Sequence, residues 1–243
     1  MPKMRLDRLL AGQGLHTRKE VREWIRKGRV TVDGAPERAP ERQVDPAEQT
    51  VAVDGVPLRF QEHIYLMLNK PAGVVSATED RRQPTVLDLV PPELRRKGLF
   101  PAGRLDKDTV GFVLLTDDGA FAHRILAPKN HLPKRYTAVL DGPLDPSATA
   151  AFAEGVDIGG GDITRPARLT ILENGPAPRV EVVITEGMYH QIKRMFERFG
   201  RTVTYLKREQ IGGLPLDPAL APGACRELTP EELRRLTGEE AER

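Results

Sequence analysis

One stretch of the chain places several carboxylates close to an apolar strand, where they could take part in chemistry. Residues 101–119, PAGRLDKDTVGFVLLTDDG, contain the aspartates Asp106, Asp108, Asp117 and Asp118. The apolar run over residues 110–115 predicts a buried strand between the two pairs. A carboxylate on a short turn before a rigid strand is held still, as catalysis requires. The same aspartates can be ordinary turn residues that bond to their own backbone, and their spacing alone favours that interpretation.

The composition excludes several classes of protein. The 243 residues include 37 basic and 35 acidic side chains, so the net charge of +2 says little about partners. The single cysteine, Cys225, excludes an intramolecular disulfide and a multi-cysteine zinc site. The N-terminal residues lack a signal-peptide core, and residues 110–115 are too short to span a bilayer. We therefore expect a cytoplasmic protein that binds no membrane.

The first part of the chain predicts two short helices followed by a β-hairpin. The helices are expected at residues 5–13 and 18–27, and Thr17 with Glu20 forms a capping-box pattern at the second. Strands are expected at residues 29–32 and 50–53. The segment 57–63 is polar and lies between apolar runs, so we predict a hinge there.

Basic side chains are concentrated in this first part. Arg18, Arg22 and Arg26 recur at four-residue spacing, which places them on one face of the second helix. Such a face suits a phosphate backbone, because each cation that contacts a phosphate releases counterions. A solvated basic face is the common alternative, but the density and one-sidedness of the charge favour nucleic acid. The predicted RNA-binding residues are Arg5, Arg18, Lys19, Arg22, Arg26 and Arg29.

Two motifs in this region, RLDRLL and TRKEVREWIRKGRVTVDG, resemble the small RNA-binding module named after ribosomal protein S4. The resemblance implies that the helices and hairpin bind structured RNA by shape and phosphate contacts. It implies no catalysis. We expect this module to span residues 1–57 and a second domain to span residues 58–243.

The second part of the chain alternates many short strands with a few helices, which predicts an α+β domain with a mixed, largely antiparallel sheet. Asp117, Asp118 and Gly119 are expected to form a hairpin-type turn, and Asp108 to shape the turn before the strand. A basic loop is predicted at residues 127–133, with Lys129 and His131. Helices are predicted at residues 120–126, 146–154, 189–199 and 229–236.

An ordered set of motifs in this domain resembles the pseudouridine synthases of the RsuA type. The set is YLMLNKPAGVVSAT, GRLDKDTVGFVLLTDDG, AHRILAPKNHLPKRY, EGMYHQIKRMF and LKREQIGG. The resemblance implies a domain with a central cleft and an enzyme that isomerises uridine within an RNA chain. The implied enzyme needs no cofactor and no metal. It also implies that Asp106 is the essential carboxylate, Tyr136 its aromatic partner and Lys193 its basic partner.

The implied residue types suit this reaction. Cleavage of a glycosidic bond develops positive character at the sugar carbon, which a carboxylate can attack or stabilise. Attack of Asp106 on the sugar and attack on the base are both compatible with this assignment. Lys193 would keep the carboxylate ionised, and Tyr136 would stack on the extruded uracil. Leu206 would pack against the other side of the base, and Arg104 would help to hold the flipped nucleotide.

Each of these residues also has an ordinary structural interpretation when it is taken alone. Tyr136 can be a strand aromatic, Lys193 can lie on the wet face of a helix, and Leu206 can belong to the core. His190 has no second histidine at metal spacing, which favours a structural or RNA-facing role. The functional interpretation is preferred because the residues occur together and in the order of the family.

The tyrosine–histidine pair before QIK is similar to the small-subunit branch of the family. It implies uridine 516 of 16S rRNA as the target. A 23S rRNA uridine is the alternative within the family, and a non-catalytic ribosome-binding factor is the alternative outside it. A metal-dependent nuclease that uses the four aspartates lacks a supporting ligand pattern. We expect a monomer that acts on rRNA, either free or within an assembling small subunit.

Overall fold

Two structural units account for the chain in the computed structural model, which describes residues 3–14, 16–58, 60–127 and 132–238. The first unit consists of Met1–Ile64 and Val90–Leu99, and the second of Tyr65–Leu89 and Phe100–Arg243. The domain boundary after residue 57 stays a prediction.

The first unit packs two helices against short strands around a small apolar core. Leu6, Leu9 and Ile25 are fully or almost fully buried in it, as helical spacing predicts. The capping box of Thr17 and Glu20 is present at the second helix. The elements are β1 (Met4–Arg5), α1 (Leu6–Gly12), α2 (Arg18–Arg26), β2 (Val30–Val32), β3 (Ala35–Glu37), β4 (Gln43–Val44), β5 (Val51–Val53), β6 (Val56–Pro57) and the 3-10 turn Pro92–Leu94.

The second unit is built on a sheet of nine strands with helices packed against it, which confirms the predicted α+β class. The elements are β7 (Tyr65–Lys70), β8 (Phe100–Pro101), β9 (Val110–Thr116), α3 (Gly119–Leu126), β10 (Lys134–Leu140), α4 (Ala148–Glu154), β11 (Arg168–Glu173), β12 (Arg179–Ile184), α5 (Gln191–Glu197), β13 (Val203–Ile211), β14 (Leu214–Pro215), β15 (Cys225–Glu227) and α6 (Pro230–Thr237). The main strand order is β11-β12-β10-β13-β9-β7-β15.

Strand β9 lies inside this sheet, as its continuous apolar sequence predicts. It pairs antiparallel with β7 and parallel with β13. Gly111 makes the second pairing possible: its φ is +100°, and a Cβ at this position would lie 2.3 Å from the Arg208 carbonyl oxygen. The start of β9 is thereby held against the middle of β13.

Several sequence-based predictions differ from the structure. The segment Asp117, Asp118 and Gly119 is not a hairpin turn, because Asp118 caps helix α3 by accepting the Phe121 N–H at 2.9 Å. Aspartate before a helix is as favourable as aspartate in a turn, and the two patterns look alike in sequence. Helix α5 begins at Gln191 rather than at residue 189. Most of the basic loop predicted at 127–133, with Lys129 and His131, lies outside the described residues.

Candidate active site

The turn before strand β9 presents Asp106, and a serine from a separate segment fixes this turn. Ser76 Oγ donates to the Leu105 carbonyl oxygen at 2.9 Å and accepts the Leu105 N–H at 3.0 Å. The Thr109 N–H donates to the Asp106 carbonyl oxygen at 3.2 Å. The backbone of Asp106 is therefore fixed on both sides, while 30% of its side chain remains exposed.

A fully buried lysine holds the same turn from strand β7. Lys70 Nζ donates to the carbonyl oxygens of Pro71, Lys107 and Thr109 at 3.1, 3.1 and 2.7 Å. Burial lowers the pKa of Lys70 to about 8, although the nearby charge of Asp108 opposes this shift. Since its donors are directed at backbone carbonyls, Lys70 fixes the position of the turn.

The Asp106 carboxylate pairs with a cation on helix α5. Lys193 Nζ lies 3.1 Å from Asp106 Oδ2, and 2.7 and 2.9 Å from the two carboxylate oxygens of Asp108. Burial alone would lower the pKa of Lys193, but its hydrogen bonds to Asp108 and Asp106 raise it above the ordinary value. The hydrogen bond from Lys193 likewise lowers the pKa of Asp108. A charged lysine therefore lies directly beside the Asp106 carboxylate.

The neighbouring strands β10 and β13 supply one face of the site. Tyr136 and Arg208 are directly opposite each other in the sheet, as are Ala138 and Leu206. Because side chains two residues apart share a face, Tyr136, Leu206 and Arg208 project to the same side. Tyr136 and Leu206 are each 7% exposed, so they offer an apolar surface for a flat ring.

Arg208 is a buried cation beside Tyr136. It is 3% exposed, and its Nε donates to the Phe112 carbonyl oxygen at 2.7 Å. Its Nη1 donates to the Tyr136 hydroxyl oxygen at 3.4 Å. Within the described ranges, Nη2 has no hydrogen-bond partner and the guanidinium makes no ion pair. The cleft is therefore lined by a buried guanidinium that has no ion-pair partner among the described residues.

These elements enclose a cleft of about 970 Å³, which is large enough for a nucleotide. The cleft is lined by every residue that the sequence predicted for the catalytic site and substrate pocket: Asp106, Tyr136, Lys193, Arg104 and Leu206. Arg104 is exposed, whereas Tyr136 and Leu206 are buried. The roles assigned to these residues remain predictions, but their side chains line one cleft.

Sequence reasoning missed several contacts around Asp106. Asp108 pairs with Lys193, although it was expected only to shape the turn. His190 Nε2 lies 3.6 Å from Asp106 Oδ1. One signal was available in the sequence: Lys70 ends a largely apolar strand, YLMLNK, which favours a buried lysine. Nothing local in the sequence indicates the contacts of Asp108 and His190, because both span long separations.

In the first unit, three of the predicted RNA-binding arginines share one buried carboxylate. Arg5, Arg18 and Arg22 donate to the carboxylate of Asp7, which is 0% exposed, at 2.8 to 3.2 Å. Burial would raise the pKa of Asp7, but these hydrogen bonds hold it well below the ordinary value. The charge of the cluster remains positive, and its guanidinium groups are partly exposed.

The other predicted RNA-binding residues differ in their surroundings. Arg29 pairs with Asp54 and lies 4.8 Å from the centre of the Trp24 ring. Lys19 and Arg26 are exposed, and no ion pair is found for either within the described residues. These two side chains are therefore the most available of the set for a phosphate.

No group of three or more His, Cys, Asp or Glu side chains among the described residues is arranged to hold a metal ion. No helix within the same ranges has the length and apolarity needed to cross a membrane.

The comparisons with known proteins agree with this two-part organisation. A family profile described as S4 domain matches residues 4–50, and one described as RNA pseudouridylate synthase matches residues 64–198. The chain therefore belongs to the RNA pseudouridylate synthase family and is an RNA pseudouridine synthase, an isomerase with an S4 domain. This confirms the resemblance found in the motifs.

Individual relatives match over nearly the whole chain. An uncharacterized RNA pseudouridine synthase of Bacillus subtilis (strain 168), YtzG, is 51% identical and covers 98% of this chain and 100% of its own. The ribosomal small subunit pseudouridine synthase A of Escherichia coli (strain K12) is 45% identical and covers 95% of this chain and 98% of its own. A crystal structure of a pseudouridylate synthase is 38% identical, with a TM-score of 0.66 over 96% of this chain and 99% of that one.

Proposed function

We propose that this enzyme converts one uridine of 16S rRNA, uridine 516, to pseudouridine. The observation that carries the catalytic part is the contact between Asp106 and Lys193 in a cleft that also contains Tyr136. The 16S target rests on the small-subunit name of the Escherichia coli relative and on the Tyr189–His190 pair before QIK.

In this proposal Asp106 acts at the centre of the reaction. The bond between ribose C1′ and uracil N1 breaks, and the carboxylate of Asp106 stabilises the electron-poor intermediate by attack or by charge. Lys193 pairs with the Asp106 carboxylate in the cleft and holds it in place. The base then turns, and C5 bonds to C1′. The proton on C5 leaves and N1 gains one, so the reaction is balanced without an oxidant or a group donor.

Tyr136 and Leu206 hold the uracil while it turns. The ring of Tyr136 stacks on one side and Leu206 packs on the other, and Tyr136 acts as the general base for removal of the C5 proton late in the reaction, its own hydroxyl proton passing to solvent. The target uridine must leave its stack to reach them, at a cost of a few kcal/mol. Arg104, exposed and lining the cleft, helps to hold the extruded nucleotide.

The S4 domain supplies binding rather than chemistry. Its arginines and Lys19 contact phosphates of the rRNA, and the enzyme acts as a monomer on free 16S rRNA or on the assembling small subunit. A ribosomal substrate places the enzyme in the cytoplasm.

Mapping of pseudouridine in 16S and 23S rRNA tests this proposal. RNA from cells that lack the protein is compared with RNA from cells that express the wild type or Asp106→Asn. We expect the wild type alone to restore one pseudouridine, at position 516 of 16S rRNA. If a pseudouridine is restored only in 23S rRNA, the target of the enzyme lies in 23S rRNA and not in 16S rRNA. Restoration by Asp106→Asn would refute the role of Asp106, and rRNA binding with no restored site would indicate a ribosome-binding factor.

A further inference from the structure

An aromatic pair lies at the edge of the cleft, immediately before helix α5. The rings of Tyr189 and His190 are stacked, with centroids 3.9 Å apart and an angle of 16° between their planes. Both residues line the cleft, and His190 Nε2 is 3.6 Å from Asp106 Oδ1. Tyr189 is 76% exposed, the highest value among the large hydrophobic side chains of the described residues. One face of its ring is covered by His190, so a second flat ring can stack on the other.

The backbone that carries this pair is held by several hydrogen bonds. Arg194 Nη1 donates to the Tyr189 carbonyl oxygen at 3.3 Å, and its Nη2 donates to the Gly159 carbonyl oxygen at 2.8 Å. The side chain of Gln191 accepts the Met188 N–H at 2.9 Å. An exposed aromatic ring on a fixed backbone loses little entropy when a ligand stacks on it.

His190 also has an uncommon backbone conformation. Its φ of 48° lies in the left-handed region, which non-glycine residues rarely adopt. Such conformations cost free energy and are concentrated at functional sites. Here the conformation accompanies a ring stacked on Tyr189 and an imidazole directed at Asp106.

We propose that Tyr189, supported by His190, is a stacking subsite for an unpaired base next to the target uridine. The inference rests on the proposed function, because the extruded uridine must lie beside Asp106. A base on the exposed face of Tyr189 would form a stack of three rings with Tyr189 and His190 at the cleft. The ligand class is any nucleobase, since every base offers a flat face.

RNA binding by variants tests the subsite. Dissociation constants are measured for a 16S rRNA fragment centred on uridine 516, with the Asp106→Asn chain as the background so that no turnover occurs. We expect Tyr189→Ala to weaken binding by about fivefold or more, and Tyr189→Phe to bind like the parent. Tyr205→Ala is the matched control, because Tyr205 is 45% exposed but does not line the cleft.

Removal of a base from the RNA identifies the partner. Fragments with an abasic site on either side of the target are bound to the parent and to Tyr189→Ala. At one of the two positions, we expect the abasic site to weaken binding to the parent chain but not to Tyr189→Ala. The base and the Tyr189 ring form one contact, so removal of either partner already loses it. Additive losses at both positions, or full affinity of Tyr189→Ala, would overturn the subsite. Tyr189→Ala is also made in the chain that keeps Asp106: a lower kcat there, with unchanged binding in the Asp106→Asn background, would overturn the subsite, since it indicates that Tyr189 only positions His190.

These readouts are separate from the proposed function. If the coupling is found but no pseudouridine forms at uridine 516, the subsite stands and the target is rejected. If pseudouridine forms there and the losses are additive, the target stands and the subsite is rejected.

Discussion

Lys193 carries a single charge that two carboxylates share. Asp108 holds it with two short contacts and Asp106 with one, so the cation is positioned before any substrate arrives. Because the pKa of Lys193 is raised above its ordinary value of 10.5, the side chain stays charged up to and beyond that pH. The low pKa of Asp108 means that its contribution is lost only as pH falls below the ordinary value of 3.8. The ion pair therefore spans the whole physiological range.

Replacement of Lys193 tests this arrangement. If Asp106 has the proposed role, we expect Lys193→Ala to lower kcat by about 100-fold, because a positioned charge is removed from beside its carboxylate. Lys193→Arg should retain more activity, since the charge is kept. Single-turnover rates on an RNA substrate measure both.

Asp108→Asn is the matched control for Lys193. It removes one partner of the lysine but leaves the Asp106–Lys193 contact, so the loss should be smaller than for Lys193→Ala. Equal rates for Lys193→Ala and Lys193→Arg would argue against a role for the charge.

At the scale of the elements, the conformation of the turn before strand β9 depends on Ser76, which lies in a distant segment of the chain. Ser76→Ala removes both hydrogen bonds to Leu105 and leaves a buried N–H and C=O unpaired, which costs about 1–3 kcal/mol for each group. We expect a lower melting temperature and a several-fold lower kcat, with an unchanged Kd for RNA. Ser147→Ala is the control, because Ser147 is exposed and does not line the cleft. A variant whose kcat matched the wild type would show that Ser76 does not position Asp106.

Lys70 connects strand β7 to the same turn, and its pKa makes the connection measurable. In the unfolded chain Lys70 titrates near its ordinary value of 10.5, and in the folded chain near about 8. Between these values the unfolded chain binds one more proton, so the free energy of unfolding rises with pH. We expect this contribution to reach about 3 kcal/mol and to be absent in Lys70→Met.

Urea unfolding at several pH values between 8 and 10.5 measures the contribution of Lys70. The difference in unfolding free energy between wild type and Lys70→Met should grow with pH across this window. A constant difference would mean that Lys70 titrates alike in both states.

The elements themselves were largely predictable, whereas the contacts that position Asp106 were not. Continuous apolar sequence predicted strand β9, and alternation predicted strand β10, because period and burial are local properties. Asp106, Tyr136 and Lys193 were found through family motifs. Ser76 and Lys70 act on the turn across 29 to 39 residues, and no local pattern encodes such pairs. The stack on His190 likewise depends on a left-handed backbone that the sequence does not indicate.

At the scale of the whole molecule, RNA affinity and chemistry are expected in different units. Arg5, Arg18 and Arg22 are tied to Asp7, whereas Lys19 and Arg26 make no ion pair within the described part of the chain. If both of these side chains contact phosphates, the double variant Lys19→Ala/Arg26→Ala should bind RNA more weakly. The slope of log affinity against log salt should become shallower by about 2 units. The rate constant at saturating RNA should be unchanged, because neither residue belongs to the unit that contains Asp106.

The salt dependence needs a control of equal charge. Arg234→Ala/Arg235→Ala removes two exposed cations from the second unit and should leave the slope closer to that of the wild type. Titrations of the full-length variants with an rRNA fragment at several salt concentrations give both slopes. Equal slopes for the two double variants would mean that affinity follows total charge rather than the S4 domain. If Lys19→Ala/Arg26→Ala has the same slope as the wild type, these two side chains do not contact phosphates. The arginines around Asp7 would then be the phosphate-binding surface of that unit.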